Sequence, residues 1–272
     1  MKTEIKILTL SYLTALSFMI ITALFDGVLS TIIYYLGFAV AVLVGLFLYS
    51  TEKGVKLISG DFLKINKRGL IATALLSAPT ITVIIGISYL TTLLILITTG
   101  VARETNLDGR MWVDLILHAL LPAIFEEALF RYLPLRILKG SSGLCAVAVS
   151  AVFFACVHTS FFSIPYALVA GAIFMLVDIL ADSVIPSLVL HFLNNTLSII
   201  WIYFESDATF VNYYLISIIS LALLSCVVIG LFCRGEIKRL ITLLREGEKY
   251  SPSYEPLLFI LPTLILALSE FI

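Results

Sequence analysis

Residues 121–136 read LPAIFEEALFRYLPLR, an apolar run interrupted by Glu126, Glu127 and Arg131. Each ionisable side chain held at bilayer depth costs on the order of 2.5–3.5 kcal/mol on insertion scales, so three kept together suggest charge that is used. Glu127 and Arg131 are an i,i+4 pair on one helix face, and the arginine can neutralise the second glutamate. Glu126 points about 100° away and is left without a local partner. An unpaired carboxylate in an apolar setting is a better proton acceptor than one in water. A salt-bridged helix end at the membrane surface accounts for the same residues without any chemistry.

Few other polar side chains fall inside apolar runs. FACVH ends in His158, and PSLVLHFLNN holds His191 and Asn195, again four apart and on one face. A lone histidine in a span is often a hydrogen-bonded core residue, but two of them with a facing Asn and an unpaired Glu weaken that reading. A carboxylate and an imidazole can jointly hold and deprotonate a water. A second imidazole and an amide, one turn apart, can donate hydrogen bonds to the oxyanion of an attacked carbonyl. These are the parts of a peptide hydrolase with no side-chain nucleophile.

Other solutions lack their signatures. There is no H-E-x-x-H and no G-x-S-x-G, and no serine in a span has an obvious histidine partner. The Gly60-Asp61 pair lies in a basic loop, against an aspartyl mechanism. Glu126, His158 and His191 are also the composition of a two-histidine, one-carboxylate zinc site, the alternative to metal-free catalysis. Asn195 favours the metal-free reading, because an amide is a poor zinc ligand and a good oxyanion donor. His118, two turns before Glu126, reads as structural with no polar neighbour on its face. Asp178 and Asp182 read mainly as residues of a helix end, with Asp182 or Ser183 capping the next helix and Pro186 in its first turn.

The elements that must position these groups are membrane spans. Of 272 residues, 61% are hydrophobic and 13% charged, which excludes an ordinary soluble domain and a disordered chain. A net charge of −1 with no basic domain gives no reason to expect a nucleic-acid partner. The four cysteines, Cys145, Cys156, Cys226 and Cys233, lie in or beside apolar runs without a C-x-x-C, as buried small hydrophobes do. Runs of spanning length fall at about 6–25, 28–50, 70–99, 111–134, 143–160, 164–181, 184–204 and 211–233, with 256–272 as a candidate ninth. The expectation is an all-α, polytopic membrane bundle of eight or nine spans, one integral domain over 1–272, with a hydrophilic cavity inside. The first run is too long for a signal-peptide core and reads as a retained span. Basic residues crowd 51–69, 131–140 and 234–250, while 25–31 and 204–210 hold none. That asymmetry places the N-terminus, the 51–69 loop and 234–255 in the cytoplasm of a multi-pass cell-membrane protein. Residues 236–250 form an amphipathic stretch suited to the inner membrane face.

The motif EEALFR (126–131) resembles the E-E-x-x-x-R of the CAAX-protease and bacteriocin-processing (CPBP) membrane endopeptidases, which include the Ras-converting CAAX prenyl proteases. FACVH (154–158) is similar to their F-x-x-x-H, and HFLNN (191–195) to their H-x-x-x-N. The order matches, and the resemblance covers about 111–204. It implies an intramembrane glutamic endopeptidase in which Glu126 and His158 activate water and His191 and Asn195 form the oxyanion hole. Glu127, Arg131 and Phe154 then support the site, no metal is required, and the substrate is a peptide or protein, with prenylated C-termini and leader peptides both open. The other class is a non-enzymatic membrane protein (an immunity factor, transporter-like protein or scaffold) keeping the same polar constellation as a binding site.

Depth counting adds one constraint. At 1.5 Å per residue Glu126 and His191 fall in the cytoplasmic half and His158 near the far side, so a shared site requires a displaced or tilted fifth helix, or span boundaries shifted by several residues. The topology is checked by single-cysteine labelling from outside intact cells: cysteines in 51–69 and 234–255 should react much more slowly than one in 204–210.

Overall fold

The computed structural model of the protein describes residues 2–57, 60, 62–101, 107 and 109–247. The candidate ninth run, 256–272, lies outside the described residues, as do Asp61 and Lys249. Among the described residues the elements are helices: α1 (Lys2–Thr22), α2 (Gly27–Lys53), α3 (Lys67–Thr99), α4 (from Met111 to Ile137), α5 (Gly143–Cys156), α6 (Ile164–Ala181), α7 (Ile185–Phe204), α8 (Ala208–Phe232) and α9 (Arg234–Arg245). Six of them, α1, α2, α3, α6, α7 and α8, are long and apolar enough to cross a membrane. The chain is a multi-pass membrane protein. The remaining two expected runs are α4, a composite helix, and α5, which has only 14 residues.

Large apolar side chains such as Leu94, Ile97, Leu223 and Leu231 face outward, and α8 buries only Tyr214 and Ala222. In water such a surface would aggregate, whereas in a bilayer hydrocarbon solvates it. The interior is an aromatic cluster where α1, α2, α4 and α5 meet. Tyr12 stacks on Phe130 at 5.3 Å and lies 4.1 Å from Phe153, and Phe38 meets Phe130 edge-on. Gly171 lets α6 approach α5 closely, since a Cβ there would sit 2.9 Å from the Cα of Ala151. Three residues on from that contact, Phe154 and Phe174 approach the same guanidinium.

Helix α4 is α-helical at Met111–Asp114, Leu121–Glu127 and Leu133–Ile137, and π-helical at Leu115–Leu120 and Ala128–Tyr132. Each wide stretch is followed by a proline in the first turn of the next segment, and a proline has no N–H to donate. The carbonyls so released are taken by neighbouring helices. The Tyr35 hydroxyl of α2 donates to the Leu117 carbonyl at 2.6 Å, five residues before Pro122. Ser150 Oγ of α5 donates to the Phe130 carbonyl at 2.6 Å, four residues before Pro134. The site helix is thereby pinned on both sides, at one level by α2 and at another by α5.

The Ser150–Phe130 bond also resolves the depth of His158. With α4 and α5 antiparallel, four residues on from Ser150 and four back from Phe130 bring Phe154 level with Glu126. At about 1.5 Å per residue α5 spans only about 21 Å, less than the roughly 30 Å hydrocarbon core. Its end therefore lies within the membrane thickness, and His158 sits about one turn beyond Glu126 rather than at the far face. One end of the bundle is tied separately: Arg136 donates to the carbonyls of Lys56 and Leu57, Asn66 Nδ2 to that of Ala181 at 2.7 Å, and Arg68 pairs with Glu236 of α9 at 3.0 Å.

Candidate active site

Glu127, almost fully buried, is the junction of the site. Its Oε1 lies 3.2 Å from Arg131 Nη1 and 2.7 Å from His191 Nδ1. The expected i,i+4 ion pair thus forms across the α-to-π transition. Arg131 is fully buried, with its guanidinium carbon 4.1 Å from the Phe154 ring centre and 5.2 Å from that of Phe174. Aromatic faces attract a desolvated cation, so the charge is met by one carboxylate and two rings.

His191 stands between the two glutamates. Glu127, already facing a permanent cation, accepts the Nδ1 proton, and Nε2 is turned to Glu126 Oε2 at 3.8 Å, beyond hydrogen-bond length. The imidazole is held between Phe154 and Phe174 at 5.7 and 5.6 Å. Its helix is fixed one turn earlier, where the Ser187 N–H donates to Asp178 Oδ1 at 3.0 Å. Asp178, fully buried, is thus the cap of α7 and a neighbour of the site rather than a bland helix-end residue. Ser183 Oγ accepts the Ile185 N–H at 3.2 Å, while Asp182 closes α6 in a left-handed conformation at φ 53°.

Glu126 is buried too; it has no ion-pair partner on its own helix, and across helices the Nε2 of His191 faces it from α7. Phe154 is the plate on which the groups assemble. Its ring contacts Arg131, His191 and, at 4.7 Å, His158, whose Nδ1 hydrogen-bonds the Phe154 carbonyl at 2.8 Å. That bond commits Nδ1–H and leaves Nε2 as the basic nitrogen. Asn195 lies one turn beyond His191 and is half-buried. Its Oδ1 accepts from Asn194 Nδ2 at 3.2 Å, so the NH₂ edge is what it can offer a ligand.

His118 needs a correction as well. It does have a polar neighbour one turn back, Asp114 Oδ1 at 3.6 Å, and Asp114 Oδ2 accepts from Tyr203 at 2.6 Å. This trio ties α4 to α7 away from the glutamates. The four cysteines are unbridged. Among the described residues no three His, Cys, Asp or Glu side chains group as metal ligands. Sequence reading missed Ser187 and the placement of Asp178. The only signals were two polar residues in apolar runs, and neither says which helix it will meet.

Residues 108–197 match the sequence model of a family described as type II CAAX prenyl endopeptidase Rce1-like. No curated protein and no solved structure matches the chain. The matched stretch holds α4, α5, α6 and the first part of α7, and so every site residue above.

The geometry predicts different consequences for the adjacent glutamates. Glu127→Gln should destabilise the protein by about 3–5 kcal/mol, the cost of leaving a buried charge unpaired, whereas Glu126→Gln should leave stability nearly unchanged. Thermal melting in detergent, read by near-UV circular dichroism, checks both.

Proposed function

The chain belongs, through residues 108–197, to the CAAX-protease family of membrane endopeptidases, and on that premise we propose that it is an intramembrane peptidase using glutamate-activated water. The observation that carries this reading is the division of labour between the adjacent carboxylates. Glu127 is engaged through one oxygen by Arg131 and His191, while Glu126 has no cation within pairing distance on its own helix and faces an imidazole nitrogen.

Glu126, with His158, takes a proton from water, and the hydroxide oxygen bonds to the peptide carbonyl carbon. The carbonyl oxygen becomes an oxyanion, to which His191 and the Asn195 amide donate hydrogen bonds. Collapse of the adduct breaks the C–N bond, and the proton held by Glu126 passes to the leaving amine. Glu127 and Arg131 hold His191 in orientation, and Phe154 spaces the two imidazoles. No metal enters this scheme. A zinc site would need Glu126, His158 and His191 to converge as ligands.

The substrate class is a peptide or protein segment reaching the site within the membrane, of which a prenylated C-terminus and a leader peptide are the two forms considered. Counting α4 and α5 with the six long helices makes eight membrane-embedded helices, α5 ending inside the bilayer, with the N-terminus, 51–69 and 234–255 cytoplasmic in a cell membrane.

The reading is tested with the purified protein in detergent and a peptide library, Glu126→Gln serving as the blank. Cleavage should be detected by mass spectrometry with the native protein, survive exhaustive chelation, and vanish in the variant, whose amide cannot accept the proton. Activity lost to a chelator and restored by zinc would replace this mechanism with a metal site. On a cleaved peptide Asn195→Ala should lower kcat roughly 10²–10³-fold, the loss of one oxyanion donor, with little change in KM. A non-enzymatic binding protein would instead show no cleavage and would keep its ligand through Asn195→Gln.

A further inference from the structure

The corner between α6 and α7 is built on one side chain. A helix leaves its first N–H groups without intrahelical acceptors, and buried ones need another partner. Val184 stands in the N-cap place of α7, where its aliphatic side chain accepts nothing. The Val184 N–H goes to the Phe62 carbonyl at 2.8 Å and the Ile185 N–H to Ser183 Oγ at 3.2 Å. Pro186 has no N–H to place, and the Ser187 N–H goes to Asp178 Oδ1 at 3.0 Å. Asp178 is fully buried, and its own carbonyl accepts from the Ser183 N–H at 3.2 Å. One residue thus closes α6 with its backbone and opens α7 with its carboxyl. Four residues back along α6 and four on along α7, the Phe174 ring meets the His191 ring at 5.6 Å. The same Phe174 ring lies 5.2 Å from the Arg131 guanidinium carbon. The two helices are therefore held in register at two consecutive turns, Asp178 with Ser187 and Phe174 with His191.

We propose that Asp178 is a positioning residue for His191. As the acceptor of the Ser187 N–H it fixes the rotation and depth of α7, so that Nδ1 stays on Glu127 and Nε2 stays on the side of Glu126. The proposal rests on the peptidase reading for its kinetic consequence. A serine or aspartate in the N-cap place itself would also cap α7, but it would move with that helix and set nothing relative to α6. Asp178 belongs to the neighbouring helix, so its bond fixes one helix against the other. The role requires an oxygen acceptor at that point and no charge. An amide, whose oxygen can occupy the same place, serves it, and an aliphatic side chain of similar size does not. Asp178 exchanges no proton in the reaction and acts only through the helix that carries His191.

The chain has three histidines, so ¹⁵N-histidine labelling of the full protein in detergent gives ring signals that His118→Gln, His158→Gln and His191→Gln assign one by one. Asp178→Leu, which keeps the volume and removes the acceptor, should shift both ring nitrogens of His191 and leave those of His118, beside Asp114, in place. Asp178→Asn should return the His191 signals most of the way to their native positions. Asp178→Ser, whose oxygen stops short of the Ser187 N–H, decides the matter if Asp178→Leu does not fold. On a peptide that the native protein cleaves, Asp178→Leu should lower kcat roughly 10- to 100-fold, as a small misplacement within a site does, with KM little changed. Asp178→Asn should restore most of that loss. His191 signals that stay in place in Asp178→Leu or its substitute overturn the proposal, whether or not the protein cleaves anything. A shift in Asp178→Asn as large as that in Asp178→Leu overturns the acceptor role. Movement of His118 together with His191, or failure of both Asp178→Leu and Asp178→Ser to fold, makes Asp178 a merely structural residue and overturns the positioning role. So do His191 signals that move while kcat is unchanged. His191 signals that move and are restored in Asp178→Asn, in a protein with no cleavage at all, support the placement of His191 and overturn the peptidase reading beneath it.

Discussion

The structure depends on one buried ionic junction, Glu127 with Arg131 and His191. Removing ions from water costs several kcal/mol each, and their mutual attraction repays this only when geometry is good and the remaining valences are met. Here the carboxylate meets a guanidinium at 3.2 Å and an imidazole at 2.7 Å, and the guanidinium is stacked on Phe154. The three groups come from two helices, and the rings that complete them come from two more. A displacement of any one helix would expose a charge to hydrocarbon. The four helices α4, α5, α6 and α7 are therefore held at a common level by electrostatics, in a solvent where lipid offers no hydrophobic gain for bringing helices together.

The backbone of α4 makes the same point through hydrogen bonds. Its two prolines and two π-helical stretches release carbonyls that a bilayer will not satisfy. Side-chain hydroxyls from α2 and α5 satisfy two of them, and each such bond sets a register: Tyr35 fixes α2 against Leu117 of α4, and Ser150 places Phe154 opposite Glu126. π turns recur at functional sites because they change which residues share a helix face at little cost in length. Here they flank the Glu126–Glu127 pair and allow adjacent residues, about 100° apart on an ideal helix, to serve one site in different ways. Glu127 turns to Arg131 and His191, and Glu126 to the far nitrogen of the same imidazole.

Two departures from regular span geometry also serve the site. α5 is too short to cross, so its end and His158 lie at the depth of the glutamates instead of at the opposite surface. Gly171 brings α6 onto α5 closely enough for Phe154 and Phe174 both to reach Arg131. The broad apolar faces elsewhere, on α3 and α8 above all, carry no comparable constraint, since any hydrocarbon-soluble side chain satisfies them.

Composition and basic-residue asymmetry were enough to establish an all-helical membrane chain, and the eight well-formed apolar runs match the helices within a few residues. Spacing alone made the Glu127–Arg131 pair legible, because an i,i+4 relation is fixed by helix geometry whatever the helix packs against. The same holds for His191 and Asn195 sharing a face. What spacing could not supply was the register between helices distant in the chain. Tyr35 at the Leu117 carbonyl and Ser150 at the Phe130 carbonyl join different helices, and nothing local in Tyr35 distinguishes it from any interfacial tyrosine. The depth of His158 was misjudged for that reason: counting from the ends of an apolar run assumes that the helix crosses, and α5 stops short. Local geometry is written in the chain as periodicity, whereas the meeting of helices is decided only when all of them close around the same buried charges.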